Sequence, residues 1–228
     1  MPRVARVVAP GFPHHVVHRG NNREPVFFSD QDMDRYLGLL ARYSRKWRCP
    51  VLAYCLMSNH VHLLLRPHET QSLAKIMHGI SLCYAQYVNR LCSRTGRLWE
   101  SRYYSCVVED EMYLWAVARY IEQNPVRAGV VETEEEFPYS SARAHILGVK
   151  DHILGDVLLD QTQQEDYVSF VKVQTPEHEL LAVRHSIRSG LPLGSKDFAG
   201  KMEDLLQRKL VMNPRGRPKR IKSRDLHL

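Results

Sequence analysis

Apolar and polar positions along the chain follow two periods, and the switches between them mark the elements. Residues 13–19 carry His14, His15, Val16, Val17 and His18 in a β-rich run that Gly20-Asn21-Asn22 ends as a turn. Ser29 then stands as a helix N-cap with Asp30 and Asp32 behind it. Met33, Tyr36, Leu37, Leu40, Tyr43 and Trp47 follow at helical spacing. Val51–Met57 and His60–Leu65 are two β-rich runs separated by Ser58-Asn59, which predicts a β-hairpin. Ser72 opens a second helix bearing Leu73, Ile76, Met77, Ile80, Tyr84 and Val88, and Thr95-Gly96 breaks the pattern. A strand is predicted over 103–108. A third helix is predicted over 110–124, with Tyr113, Leu114, Val117, Tyr120 and Ile121 on one side and Pro125 stopping it. The order β-α-β-β-α-β-α predicts an α+β fold: a ferredoxin-like (RRM-like) antiparallel sheet with helices on one face.

After Gly129 the pattern changes. Residues 132–136 form an acidic linker, and short helices are predicted at 140–147 and 163–171. A longer helix covers Glu177–Ser189, with Gly190 as its C-terminal cap. Ser195 caps a last helix holding Phe198, Met202, Leu205 and Leu206. These make a small helical C-terminal extension, whose last two helices are candidates for a helix-turn-helix. The expected division is a sheet domain over 1–131, a helical region over 132–212 and a basic, flexible tail over 213–228.

Composition sharpens this picture. The 228 residues are 44% hydrophobic and 25% charged, which excludes global disorder. No apolar run approaches the roughly 18 residues of a membrane span, and residues 1–6 show no signal-peptide pattern. The expectation is a cytoplasmic protein. Five cysteines without a C-x-x-C pair argue against a disulfide framework or a structural zinc site. The net charge of +7 is unevenly spread: residues 1–131 carry +7, residues 132–183 carry −8 and residues 184–228 carry +8. Such blocks point to separate surfaces with separate tasks.

Two patterns carry chemistry. In His60-Val61-His62 the strand period of two turns both imidazoles to one face, where they make a natural metal pair; two incidental strand histidines are the competing reading. In Tyr120-Ile121-Glu122-Gln123-Asn124 the helical period brings Tyr120 and Asn124 together, with Gln123 close by. A divalent ion on the histidines would polarise a phosphate for attack by the phenol, with the Asn124 amide oxygen completing the coordination. The competing reading is a core tyrosine and an asparagine capping the helix end.

A His-hydrophobic-His strand followed about 60 residues later by a helical tyrosine resembles the HUH single-tyrosine transposases, and most closely the REP-associated tyrosine transposases. The resemblance rests on four blocks: His15 to Arg23, Met57 to Leu65, Leu98 to Tyr103, and Arg119 to Gly129. It extends to Gly190-Leu-Pro-Leu-Gly-Ser195 and Gly216-Arg217-Pro218-Lys219. Ser58 is a departure, since some relatives have proline there. The resemblance implies that Tyr120 attacks a phosphodiester in single-stranded DNA, forming a 5′-phosphotyrosine link and freeing a 3′-hydroxyl. It implies that His60 and His62 hold Mg²⁺ or Mn²⁺, with Asn124 as third ligand and Gln123 as the fallback. The implied partner is single-stranded DNA with hairpin repeats, handled by a monomer or a homodimer.

Arg19, Asn22 and Arg23, and Arg97 and Arg102 beside Trp99 and Tyr103, are candidate DNA contacts. Arg215-Gly216-Arg217 matches an AT-hook core, in which glycine allows close approach to a minor groove. His14, His15 and His18 are expected to be structural. The alternative function is a catalytically silent repeat-binding protein. An RNA-binding module on the same sheet ranks last, because the aromatic RNP runs are missing.

Overall fold

The computed structural model describes residues 6–109, 112–155, 158, 162–207 and 209–210. Four strands, β1 (His14–Arg19), β2 (Val51–Met57), β3 (His60–Leu65) and β4 (Tyr104–Val107), form one antiparallel sheet in the order β2-β3-β1-β4. Helices α1 (Asp30–Lys46) and α2 (Ser72–Leu91) are the two crossovers. This is the ferredoxin-like arrangement expected from the pattern.

Local sequence explains the starts and stops. Asp32, fully buried, accepts the backbone N–H groups of Phe28 and Ser29 at 2.8 and 3.0 Å and so closes the first turn of α1. The turn at Ser58-Asn59 joins β2 to β3. The loop after β1 docks on that turn, with Gly20 N–H donating to the Asn59 carbonyl and Val26 N–H to the Ser58 carbonyl, both at 2.8 Å.

Every residue of β2 is buried, and all of β3 except His60. Both faces of the sheet are therefore covered. Val16, Val61, Leu63 and Leu65 point to the side packed by α1 and α2, with Tyr36, Leu40, Ile76 and Tyr84. Ala53, Cys55, Met57 and Leu64 point to the other side. There α3 (Met112–Glu122), α5 (Ala142–Leu147), α6 (Gln164–Lys172) and α7 (Glu177–Ser189) close a second core, with a single turn, α4 (Asn124–Arg127), after α3. The crossover helices thus share one face, and α3, α5, α6 and α7 take the opposite one.

The C-terminal segment also finishes the sheet. Both outer strands would expose unpaired backbone groups. Residues 139–141 run antiparallel to the β2 edge, with Leu56 N–H donating to the Tyr139 carbonyl at 2.9 Å. Leu193 runs parallel to the β4 edge, its N–H donating to the Val107 carbonyl at 2.8 Å and its carbonyl accepting from Glu109 at 2.9 Å. Leu193 lies in the loop between α7 and α8 (Lys196–Leu206), so the turn of the candidate helix-turn-helix is pinned to the sheet. Gly190, at φ +75°, and Ser195, whose Oγ accepts the Phe198 N–H at 3.1 Å, cap these helices as expected. Among the described residues no helix is long and apolar enough to cross a membrane. The tail, with Arg215 and Arg217, lies outside the described residues.

A methyl group at Gly20 would collide with the Glu24 carbonyl oxygen and come within 2.7 Å of Val26 Cγ1, whereas one at Gly38 in α1 would meet open space. Gly20→Ala should lower stability by about 1–3 kcal/mol through overpacking. Gly38→Ala should raise it by about 1 kcal/mol through helix propensity. Urea titration of both variants checks the pair of signs.

Candidate active site

Strand register decides which side chains meet. On β3, His60 pairs with Arg19 of β1 and Met57 of β2, and His62 pairs with Val17 and Cys55. The period of two puts both imidazoles on the face covered by α3. Their ring centroids are 5.0 Å apart and nearly perpendicular. His60 Nδ1 donates to Asn59 Oδ1 at 2.6 Å, and His62 Nδ1 shares a 2.9 Å hydrogen bond with His15 Nε2. Both Nδ1 atoms are thus occupied, which leaves the two Nε2 atoms as the pair available to a ligand. In its metal-binding tautomer His62 keeps the proton on Nδ1 and donates it to His15.

Burial sets the charge state. Desolvation, reinforced by the Arg19 cation, lowers His60 to about 4. Desolvation, together with His15, His60 and Arg127, pushes His62 well below its ordinary value. Both imidazoles are neutral at pH 7, the form that binds metal. Among the described residues no three His, Cys, Asp or Glu side chains converge to hold an ion. A metal here would take two imidazole nitrogens and fill its sphere from an amide, water and substrate oxygen, an open donor set that suits a catalytic centre.

Tyr120 comes to this pair from α3. Its ring centroid lies 5.7 Å from His62 and 5.7 Å from His15, edge-on to both. Arg127 packs over the ring at 4.6 Å and donates to the Tyr120 carbonyl at 2.6 Å. Pro125 leaves the Ile121 carbonyl, four residues back, without a backbone donor. Pro125 has no N–H for the turn behind it, yet the chain continues into α4 instead of stopping. Asn124 Nδ2 donates to the Tyr120 and Ile121 carbonyls at 3.0 and 3.1 Å and repairs the break. The same contacts leave Asn124 Oδ1 as the acceptor end of the amide. Cap and ligand are therefore compatible roles for one side chain.

Gln123 is excluded as the fallback ligand. Its Nε2 donates to the Val171 and Val173 carbonyls at 2.7 and 3.0 Å, and its Oε1 accepts from Thr175 at 2.6 Å. Both ends of this buried amide are spent on the far side of the helix.

The candidate DNA contacts separate into two places. Arg19 stands beside His60 and holds Glu100 at 3.0 Å. Asn22 and Arg23 are exposed, in left-handed conformations at φ 53° and 62°, and Asn59 Nδ2 donates to the Arg23 carbonyl at 2.9 Å. Arg19 borders the histidine pair directly, and Arg23 meets Asn59, the neighbour of His60. Arg97 and Arg102 lie elsewhere. With Arg6, His18, Ser81 and Trp99 they line a cavity of about 460 Å³ against α2. His18 points to the opposite face of the sheet from His60 and His62, and Trp99 stacks on it at 4.1 Å. Trp99 is buried in the core. His15 is the residue that sequence reasoning missed. It reads as structural, yet it touches both His62 and Tyr120. Only its place one strand over, diagonal to His62, reveals this.

The sheet thus brings a histidine pair against a helical tyrosine, and comparison with known proteins gives the family of the chain. The model of the IS200-like transposase family matches residues 11–124. The chain belongs to the IS200-like transposase family. It is 26% identical over 100 residues to a Haemophilus influenzae protein described as a REP-associated tyrosine transposase, covering 40% of this chain. The chain spans 57% of that relative's length. Its fold is similar to that of a REP-associated tyrosine transposase solved bound to a REP hairpin. There the TM-score is 0.51 at 16% identity, over 70% of this chain and 94% of that one. A transposase structure from Deinococcus radiodurans aligns at TM-score 0.37 and 18% identity, over 48% of this chain and 88% of that one.

Burial of the histidines also couples stability to pH. His14 and His18, away from the pair, are each held at about 4, chiefly by burial, partly offset by bonds to backbone carbonyls. Between pH 6.5 and about 4 the unfolded chain takes up protons that the folded chain refuses. Stability therefore falls as pH falls through this window. At pH 5 the loss should be on the order of 2 kcal/mol per imidazole. Urea midpoints at pH 7.5 and pH 5 check it, and His18→Gln should flatten the difference.

Proposed function

We propose that this protein cleaves and rejoins single-stranded DNA at hairpin repeats, with Tyr120 as nucleophile and His60, His62 and Asn124 as the residues that hold Mg²⁺ or Mn²⁺. The observation that carries the reading is the Tyr120 ring packed against His62 on the one sheet face that also bears His60. When bound, the ion would polarise the scissile phosphate and neutralise charge developing on it.

The chain's own residues supply the rest. Arg127 orients the phenol by lying over its ring and holding its backbone carbonyl. Tyr120 Oη attacks phosphorus, the bond from phosphorus to the 3′ oxygen breaks, and that oxygen leaves as a 3′-hydroxyl. The new 5′-phosphotyrosine bond keeps the energy of the phosphodiester. A 3′-hydroxyl attacking the same phosphorus therefore releases Tyr120 and rejoins a strand without ATP. Arg19, Asn22 and Arg23 guide the strand towards His60, and Arg97 and Arg102 hold DNA on the opposite side. The hairpin-bound neighbour supports this choice of substrate.

A denaturing gel of labelled single-stranded hairpin DNA tests the reading. With Mn²⁺ the wild type should give a slow, protease-sensitive adduct, absent for Tyr120→Phe and in EDTA. His60→Ala and His62→Ala should each lower its rate by at least about 100-fold. Arg19→Ala should weaken DNA binding and reduce the salt dependence of log K by about one unit. Tight binding without any adduct would favour the silent repeat-binding protein.

A further inference from the structure

The face of α3 turned away from the histidines carries more polar anchoring than a helix packed on a core needs. Glu122, two residues after Tyr120, is fully buried. Its carboxylate accepts three hydrogen bonds: from Ser141 Oγ at 2.6 Å, His145 Nδ1 at 2.6 Å and the Tyr167 hydroxyl at 2.7 Å. The residues on either side of it are tied too. Arg119 pairs with Glu179 of α7, and Gln123 is held at both ends by residues 171–175.

These anchors lead back to the metal face by a short route. Ser141 Oγ, which donates to Glu122, accepts the Tyr54 backbone N–H at 3.0 Å, and Ser141 N–H donates to the Tyr54 carbonyl at 3.0 Å. Tyr54 is the β2 residue next to Cys55, and Cys55 is the register partner of His62. One carboxylate therefore fixes the tyrosine helix to α5, to α6 and to the strand beside His62. A buried carboxylate is costly unless fully hydrogen-bonded. Apolar residues would fill this space without that demand, but their burial is non-directional and fixes the rotation and depth of the helix less sharply. Charge-assisted hydrogen bonds have direction as well as strength.

We infer that Glu122 is a positioning residue: a buried carboxylate node, built with Ser141, His145 and Tyr167, that sets the rotation and depth of α3 so that Tyr120 faces His60 and His62. The node lies largely outside the stretch that matches the family model, which ends at residue 124. The C-terminal helices thus act as the template for the nucleophile. This inference rests on the proposed cleavage by Tyr120, and its test has a readout independent of cleavage.

The test uses full-length Glu122→Gln and Tyr167→Phe, the second removing one hydroxyl if the first folds poorly. Three quantities are measured well below each variant's unfolding temperature: the single-turnover adduct rate at saturating hairpin DNA with Mn²⁺, the Kd for that DNA, and amide hydrogen exchange of residues 112–127. The expected result is a rate lowered at least tenfold, a Kd within twofold of wild type, and exchange of 112–127 at least tenfold faster while the β1–β3 peptides exchange as before. Wild-type rate and wild-type exchange in both variants would overturn the inference. So would a rate that falls only in proportion to the folded fraction. If the wild type itself forms no adduct, cleavage fails as a reading. The exchange data alone then decide the node, with unchanged protection of 112–127 in both variants counting against it.

Discussion

In a strand covered on both sides, the side-chain period of two divides residues between two separate interiors. β3 is such a strand. Val61, Leu63 and Leu65 enter the core under α1 and α2, and His60, His62 and Leu64 enter the core under α3. The alternation that completes one core delivers two imidazoles to the other, where desolvation keeps them neutral. A slip of one residue in register would exchange the faces and send both histidines under α2. The rest of the site depends on this register. It places Arg19 beside His60, His15 against His62, and Cys55 opposite His62.

The C-terminal third completes the same structure. Residues 139–141 and Leu193 cover the two sheet edges, and α5, α6 and α7 cover the face that holds Tyr120. The acidic block of residues 132–183 does part of this work through pairs rather than as a free surface. Glu179 meets Arg119 of the tyrosine helix, and Glu134 and Glu135 meet Lys172 at 3.2 and 2.5 Å. Pro125 interrupts the backbone hydrogen-bond ladder just beyond Tyr120. Asn124 satisfies the Ile121 carbonyl that Pro125 leaves without a donor, and Arg127 holds the neighbouring Tyr120 carbonyl.

Much of this is legible in the sequence because it is local. Ser58-Asn59 between two β-rich runs, Ser29, Gly190 and Ser195 as caps, the shared face of His60 and His62, and the i,i+4 neighbours Tyr120 and Asn124 all follow from spacing. What escapes is whatever depends on partners far along the chain. His15 is like any strand histidine until β1 is laid beside β3. Gln123 and Asn124 are indistinguishable as amides until residues 171–175 claim the first. Glu122 reads as an ordinary helix carboxylate until Ser141, His145 and Tyr167 converge on it. Trp99 and Arg97 share a motif with Glu100, yet Glu100 reaches Arg19 beside His60 while Trp99 and Arg97 face α2. A loop can serve both faces of a sheet, and spacing alone does not say which residue goes where.

The central claim is that Tyr120 is the side chain the fold presents to phosphorus. Mass spectrometry of the trapped covalent complex tests it directly. Trypsin cuts after Arg119 and Arg127 and isolates residues 120–127, a peptide with one tyrosine. The expected result is a nucleotide 5′-phosphate on that peptide, located on Tyr120 by fragmentation. A nucleotide on the neighbouring peptide 103–119, which contains Tyr103, Tyr104 and Tyr113, would contradict the account.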